Sequence, residues 1–124
     1  MTKLLVVEDD PNQRRLYQQE LEDDGYEVHT AASGKEALAE IGKDRPDLVI
    51  MDISMPGMDG IEALGKVLGV DNTIPVILNT AYANYKDNFL SWAADAYVVK
   101  SSDLTELKET VKNVLKKRAE DGKK

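Results

Sequence analysis

Short apolar runs separated by helical patterns constrain the fold of this chain more than any other feature. Four of these runs, at residues 4–7, 48–51, 76–78 and 96–99, are typical of strands that are buried on both faces. A fifth run, EVHTAA from Glu27, alternates polar and apolar residues and therefore predicts an edge strand. Strands that alternate with helices indicate right-handed crossovers and a parallel sheet. We expect one α/β domain of five strand–helix units, with no second domain in this chain.

Capping residues mark the ends of the predicted helices. Asp10 followed by Pro11 is typical of an N-cap before the first helical position, and Gly25 suits the end of that helix. Further capping-box spacings occur at Ser33 and Glu36, at Asp59 and Glu62, and at Asp103 and Glu106. In the last predicted helix one apolar stripe is expected to face the core, formed by Leu104, Leu107, Val111, Val114 and Leu115.

Charge and composition exclude several classes of function. The 124 residues include 23 acidic and 16 basic ones, and the resulting net charge of −7 disfavours direct nucleic-acid binding. The absence of cysteine excludes disulfides, thiol catalysis and cysteine-ligated zinc. No stretch of sequence approaches the roughly 20 apolar residues of a membrane span, and the N-terminal residues indicate a strand rather than a targeting signal. We therefore expect a cytoplasmic protein.

Polar and charged residues follow the predicted strands at the point where each strand ends. They are Glu8 and Asp9 after strand 1, Asp52 after strand 3, Thr80 after strand 4 and Lys100 after strand 5. We expect them to converge, because the carboxyl ends of parallel strands meet at one edge of a sheet. Three carboxylates repel one another unless a cation joins them, and hard oxygen ligands suit Mg²⁺.

A metal site beside a hydroxyl and an ammonium is suited to phosphoryl transfer, in which positioning and charge neutralisation dominate. Asp52 is then a candidate nucleophile. The alternative is that the acidic residues only cap helices and keep the loops solvated. The convergence of residues from several buried strands favours the first interpretation.

Four segments carry a resemblance to a known family. VVEDD at 6–10, PDLVIMDISMPGMDG at 46–60, PVILNTAY at 75–82 and DAYVVK at 95–100 resemble the receiver domain of bacterial two-component response regulators, in order and in spacing. The resemblance implies a flavodoxin-like, doubly wound (βα)5 fold with a parallel sheet of strand order 2-1-3-4-5. The receiver domain would span residues 1–118, and residues 119–124 would form a flexible tail.

The resemblance also implies roles for particular residues. Asp52 would be the phosphoacceptor, with Glu8 and Asp9 as the acidic pair. Mg²⁺ would be held by Asp9, by Asp52 and by the backbone carbonyl of Ser54, with Glu8 acting through water. Lys100 would pair with the phosphoryl oxygens.

A switch and partners follow from the same resemblance. Thr80 would move its hydroxyl toward the phosphoryl group, and Tyr97 would turn inward on activation. The donor would be a sensor histidine kinase or a histidine phosphotransfer protein. A downstream protein would bind the face formed by the fourth helix, the fifth strand and the fifth helix, and the chain would be a monomer or a weak dimer that binds no nucleic acid or membrane directly.

One position departs from the family pattern. Receivers commonly carry proline after the lysine, with a cis bond between the two residues, whereas Ser101 follows Lys100 here. A cis bond before a residue other than proline costs about 3 kcal/mol, so the loop either takes a trans path or sustains strain. The surface beside the last helix is also open to an unusual mode of partner binding.

Two further groups of residues have structural explanations that compete with functional ones. Tyr85, Phe89 and Trp92 have the spacing of one helical face; we expect Phe89 to pack on the sheet, and Tyr85 and Trp92 to be partly exposed on an output or dimer surface. His29 is the single histidine and lies on the predicted edge strand, so we assign it no catalytic or relay role.

Three functions remain open at this point. The first is a stand-alone receiver, which acts directly on a partner or passes the phosphoryl group onward. The second is a Mg²⁺-dependent phosphohydrolase of the haloacid dehalogenase type, which Ser54 disfavours because the general acid of those enzymes occupies that position. The third is a scaffold with a degenerate site, which the intact site residues disfavour. An excised receiver of a longer protein would have the same sequence features.

Overall fold

The computed structural model describes residues 1–52, 65–66, 69, 73–80, 94–101 and 103–121. From β1 to β3, strands and helices alternate as predicted. The elements are β1 (Lys3–Val7), α1 (Pro11–Asp23), β2 (Glu27–Ala31), α2 (Gly34–Lys43), β3 (Leu48–Met51), β4 (Val76–Thr80), β5 (Ala96–Val99) and α3 (Thr105–Asp121). Gly65, Lys66 and Gly69 are helical and belong to the third predicted helix. The rest of that helix, the fourth predicted helix and the capping pair Asp59 and Glu62 lie outside the described residues.

The strands form one parallel sheet in the order β2-β1-β3-β4-β5, which confirms the predicted fold. The register aligns the carboxyl ends of the central strands: Val7 of β1 pairs with Ala31 of β2 and with Met51 of β3. The residues that follow these positions therefore lie at one edge of the sheet.

Two apolar layers cover the sheet, as expected for strands that alternate between faces. On the α2 face, Ala37 and Ile41 of α2 pack against strand residues that include Leu5, Val49 and Leu78. The opposite face, which we call the α1/α3 face, packs against α1 and α3. Its strand residues include Val6, Ile50 and Ile77, and its helix residues are Tyr17, Leu21, Leu107, Val111 and Val114. Leu104 and Leu115 pack at the margin of this layer, so the predicted apolar stripe of the last helix is confirmed.

The two edge strands differ from the prediction in one respect. β2 lies at an edge, as its alternating pattern predicts. β5 lies at the other edge, where Val98 is buried but Val99 is 41% exposed. The prediction that residues 96–99 are buried on both faces was therefore wrong. An apolar run shows that the residues are hydrophobic, but it does not show whether both faces of the strand are covered by other elements.

Local capping follows the sequence at the first two helices. The side chain of Asp10 accepts hydrogen bonds from the backbone N–H groups of Asn12, at 2.9 Å, and Gln13, at 3.4 Å. Ser33 accepts one from the N–H of Glu36 at 3.2 Å. Gly25 has a φ of 97° and ends α1 in a Schellman motif, in which its N–H donates to the carbonyl of Glu22.

The last helix differs from the prediction at both ends. The side chain of Asp103 accepts from the N–H of Thr105 rather than from that of Glu106, because the first helical hydrogen bond runs from Lys108 to the carbonyl of Leu104 and places the N-cap one residue later. The helix continues to Asp121, so the predicted tail boundary at residue 119 falls inside α3. No helix within the described ranges is long and apolar enough to cross a bilayer.

Candidate functional site

Glu8 and Asp52 lie side by side at the carboxyl edge of the sheet. They follow the paired residues Val7 and Met51, and the N–H of Asp52 donates to the carbonyl of Val7 at 3.1 Å. Glu8 lies two residues after Val6, and Asp52 lies two residues after Ile50; Val6 and Ile50 both pack on the α1/α3 face. Because side chains alternate along a strand, both carboxylates point to that same face. Both are buried, with exposed fractions of 2% for Glu8 and 6% for Asp52.

Lys100 joins these two carboxylates from the end of β5. Its Nζ donates to Oε1 of Glu8 at 2.6 Å and to Oδ2 of Asp52 at 3.1 Å. The lysine side chain is 16% exposed, so the pairs are shielded from most of the solvent. Charge-assisted hydrogen bonds of this length are strong and directional, and they hold the ammonium between the two acids.

The backbone of the acidic pair is held by contacts from α1 and its N-cap. The second carboxylate oxygen of Glu8 accepts from the N–H of Asp10 at 3.1 Å. A guanidinium N–H of Arg14 donates to the carbonyl of Glu8 at 2.8 Å and to that of Asp9 at 3.3 Å. Arg14 is not among the site residues predicted from the sequence. Its signal is a basic residue in the first turn of the helix, from which long side chains reach back toward the preceding loop.

The carboxylates of Glu8, Asp9 and Asp52 form a group that could hold a metal ion, since ligand atoms from all three lie within 4.8 Å of one another. Their donors are all carboxylate oxygens, which suit a hard divalent cation such as Mg²⁺. Within the described residues, Lys100 forms ion pairs with Glu8 and Asp52, so one ammonium faces a group of three carboxylates. The residues present therefore fit the predicted metal in donor type and in charge.

The environment shifts the pKa values of the two most tightly joined groups. Burial raises the pKa of Glu8, against the opposing hydrogen bonds from Lys100 and from the backbone of Asp10. Burial lowers the pKa of Lys100, but its hydrogen bonds to Glu8 and Asp52 raise it by more, and the net pKa is raised. The two carboxylate acceptors therefore favour the protonated form of Lys100, whereas burial is what makes Glu8 easier to protonate.

The structure thus brings together the predicted residues Glu8, Asp9, Asp52 and Lys100. Thr80 ends β4, where it pairs in register with Val99, and its side chain lies outside the described part. Ser54 also lies outside it, as do Tyr82, Tyr85, Phe89 and Trp92. Tyr97 is half-buried on β5 and packs against the core of the α2 face. No cis peptide bond occurs among the described residues, so the bond between Lys100 and Ser101 takes the trans path.

His29 lies apart from this site. It pairs with Leu5 in the middle of β1, three residues before Glu8, and its Nε2 is 2.7 Å from Oε2 of Glu27. Glu27, His29 and Asp44 form a second group of ligand atoms, but these side chains are largely exposed and Lys3 forms ion pairs with both carboxylates. This network is explained by ion pairing at the surface.

A parallel sheet of this order, with paired acids, a third carboxylate and a lysine at its carboxyl edge, defines a class of signalling protein. Residues 4–112 match the family model of the response regulator receiver domain, and the chain belongs to this family. It is a receiver domain of two-component signal transduction, and the family is one of signalling proteins rather than metabolic enzymes.

Individual relatives extend the match over most of the chain. TrrA of Thermotoga maritima, in complex with Mg²⁺–BeF, is 48% identical, with 91% of this chain and 98% of TrrA covered and a TM-score of 0.88. TrrA in complex with the histidine kinase ThkA superimposes with a TM-score of 0.87 over 93% of this chain and 99% of the matched one, at 48% identity.

Two further relatives differ in length. Sporulation initiation phosphotransferase F of Bacillus subtilis is 36% identical over 91% of this chain and 93% of its own length. The regulatory protein AtoC of Escherichia coli is 39% identical over 93% of this chain, which spans 25% of AtoC. The similarity therefore covers nearly all of some relatives and only a quarter of another.

Proposed function

We propose that Asp52 is the phosphoacceptor of this receiver, and that the phosphoryl group comes from a sensor histidine kinase or a histidine phosphotransfer protein. The observation that supports this most strongly is the contact of Lys100 with Asp52, beside the acidic pair, at 3.1 Å. The similarity to TrrA, which has been crystallised with a histidine kinase and with Mg²⁺–BeF, supports both the donor and the metal.

In the forward reaction, an oxygen of Asp52 bonds to phosphorus while the bond from phosphorus to the donor imidazole nitrogen breaks and leaves its electron pair on that nitrogen. Lys100 neutralises charge on the phosphoryl oxygens and stays protonated, consistent with its raised pKa. Arg14 holds the backbone from which Glu8 and Asp9 project. Hydrolysis later returns Asp52 to its carboxylate and releases inorganic phosphate.

The metal of this proposal is Mg²⁺. Asp9, Asp52 and the backbone carbonyl of Ser54 would bind it, with Glu8 acting through water. When bound, it supplies positive charge beside the phosphoryl oxygens. The three clustered carboxylates support this assignment.

We further propose that the chain catalyses its own phosphorylation and dephosphorylation and that Thr80 and Tyr97 switch with the state of Asp52. A phosphoryl group adds charge and three acceptor oxygens, which can order a nearby loop. A downstream protein would bind the face formed by the fourth predicted helix, β5 and α3. The protein would act in the cytoplasm as a monomer or weak dimer, without direct contact to nucleic acid. The proposed transfer of the phosphoryl group to Asp52 is the same whether the chain then passes that group onward or acts directly on a partner.

The test is the mass of the intact protein after incubation with Mg²⁺ and acetyl phosphate, beside an Asp52→Asn control. One labile phosphoryl group on the wild type alone is expected. Equal labelling of Asp52→Asn would assign the acceptor to another residue. If neither protein is labelled and no Mg²⁺-dependent phosphate release occurs, the scaffold interpretation replaces this proposal.

A further inference from the structure

Arg14 lies in the first turn of α1 and contacts the loop between β1 and this helix. Its backbone N–H donates to the carbonyl of Asp10 at 2.9 Å, which is the first hydrogen bond of the helix. Its guanidinium Nη1 donates to the carbonyl of Glu8 at 2.8 Å and to that of Asp9 at 3.3 Å. One residue therefore donates to three successive carbonyl groups, which are those of the whole loop.

These contacts hold both of the peptide groups that flank Asp9. The preceding peptide is held at its carbonyl, which belongs to Glu8 and accepts from Arg14. The following peptide is held at both ends. Its carbonyl accepts from Arg14, and its N–H, that of Asp10, donates to a carboxylate oxygen of Glu8 at 3.1 Å. Because the backbone turns only at φ and ψ between planar peptides, holding both planes sets the direction in which the Asp9 side chain leaves the backbone.

Asp9 is the carboxylate of the acidic cluster that depends most on this loop. Glu8 and Asp52 are buried, and the ammonium of Lys100 holds both of their carboxylates directly. Asp9 is only half-buried, yet its ligand oxygen lies within 4.8 Å of those of the other two acids. The place of this third ligand therefore depends on the backbone direction that Arg14 maintains.

The hydrogen bonds and the charge of Arg14 act on metal affinity in opposite directions. The hydrogen bonds run to carbonyl oxygens, so a cation that binds the carboxylate oxygens does not need to break them. They come from a rigid guanidinium that stays protonated, which makes them a lasting constraint on the loop. The positive charge of the same group lies close to the cluster, and by itself it opposes the binding of a second cation.

We propose that Arg14 is a positioning residue that raises the affinity of the acidic cluster for Mg²⁺ by holding the backbone of Asp9. It acts through the two carbonyls and touches neither the metal nor the phosphoryl group. The inference rests on the proposed function for the identity of the metal. It extends that function to a residue of α1 that sets the Mg²⁺ concentration at which Asp52 can react.

The first test is the Kd for Mg²⁺, measured by titration calorimetry on the wild type and on Arg14→Met. The methionine keeps an unbranched apolar stem and removes both the donors and the charge. Loss of positioning should raise the Kd about tenfold, since groups that orient metal ligands from outside contribute on this scale. Loss of the charge alone would lower the Kd. An unchanged or lower Kd in folded Arg14→Met would therefore overturn the proposal.

Two further variants separate hydrogen bonding from charge and from folding. Arg15→Met is the matched control, because Arg15 is the next residue of α1 and is exposed, so its charge is screened and the Kd should stay within about twofold. Arg14→Lys keeps the charge on a shorter side chain without the planar fork, and its Kd should rise at least about threefold. Urea unfolding shows which variants are folded. Folded Arg14→Lys with the wild-type Kd would overturn the role of the guanidinium, even if Arg14→Met does not fold.

The second test is the rate of phosphorylation by acetyl phosphate as a function of Mg²⁺ concentration. In Arg14→Met the half-saturating concentration should rise with the Kd, while the rate at saturating Mg²⁺ should stay within about threefold of the wild type, because the reacting groups are unchanged. A rate that is lower at every concentration, with an unchanged half-saturation point, would overturn the proposal.

The two tests also distinguish this inference from the proposed function. If Mg²⁺ binding depends on Arg14 as expected but the wild type takes up no phosphoryl group, the role of Arg14 is supported and the proposed phosphoacceptor is overturned. A wild type that binds no Mg²⁺ would overturn the metal assignment and the role of Arg14 together.

Discussion

Lys100 Nζ lies 2.6 Å from Oε1 of Glu8, a contact that joins the ends of β5 and β1 across the two strands between them. The ammonium also contacts Asp52 of β3, so one side chain from the sheet edge reaches two carboxylates at its centre. This arrangement makes Lys100 the cation that compensates the acids of the described site.

Replacing this cation should slow phosphorylation without preventing metal binding. Lys100→Met removes the charge that faces Asp52, and we expect the rate with acetyl phosphate to fall about 100-fold or more, the usual cost of losing one charge-stabilising group. Lys108→Met is the matched control, because Lys108 pairs with Glu20 between α1 and α3. A wild-type rate in Lys100→Met would contradict the assigned role.

Mg²⁺ should stabilise the folded chain through the three clustered carboxylates. At a concentration ten times the Kd, binding adds about 1.4 kcal/mol to the free energy of unfolding, measured as a rise in Tm. Asp9→Asn should lose most of this rise and should be more stable than the wild type without Mg²⁺, because carboxylate repulsion is relieved. Glu22→Gln is the matched control, because Glu22 is an exposed carboxylate on α1, and this variant should keep the full rise in Tm with Mg²⁺. An unchanged Mg²⁺ effect in Asp9→Asn would remove Asp9 from the metal site.

Two glycines with equal free space should respond in opposite directions to alanine. A Cβ at Gly25 or at Gly42 would meet no atom within 4 Å, but Gly25 has a φ of 97°. Gly25→Ala should lower the free energy of unfolding by about 1 kcal/mol, since an L-residue is strained there. Gly42→Ala lies within α2 and should raise it by about 0.5–1 kcal/mol. Urea unfolding measures both, and equal effects would mean that backbone conformation is not the cause.

The ion pair between Lys3 and Asp44 should make stability depend on pH in a predictable direction. A hydrogen bond from Lys3 lowers the pKa of Asp44 below its ordinary value of 3.8. The folded chain therefore binds fewer protons at this group, and the contribution is present above pH 3.8 and lost as the pH falls through the lower folded-state value. Asp44→Asn should lower the urea midpoint at pH 7 and have less effect in acid.

High salt is the control for this prediction, because it screens exposed charges. In 1 M NaCl the difference between the wild type and Asp44→Asn at pH 7 should shrink toward zero. A difference that is equally large in acid, or that salt leaves unchanged, would show that the aspartate acts through something other than its charge.

Much of the local structure could be predicted because its causes lie close together in the chain. Asp10, Ser33 and Gly25 act within a few residues of themselves, and each takes the conformation expected of it. The strand order and the meeting of the acids with Lys100 followed from the family resemblance and from the rule that parallel strands end at one edge. Those predictions succeeded because they depend on topology rather than on packing detail.

The sequence by itself determined the alternation of strands and helices from β1 to β3, the caps of α1 and α2 and the set of charged residues at one sheet edge, since residue type and spacing are sufficient for these. Only the tertiary structure decided that Arg14 holds the carbonyls of the acidic pair. It also decided that β5 has an exposed valine. The physical reason is that such contacts depend on which helix covers which face, and this is set by the packing of residues far apart in the chain.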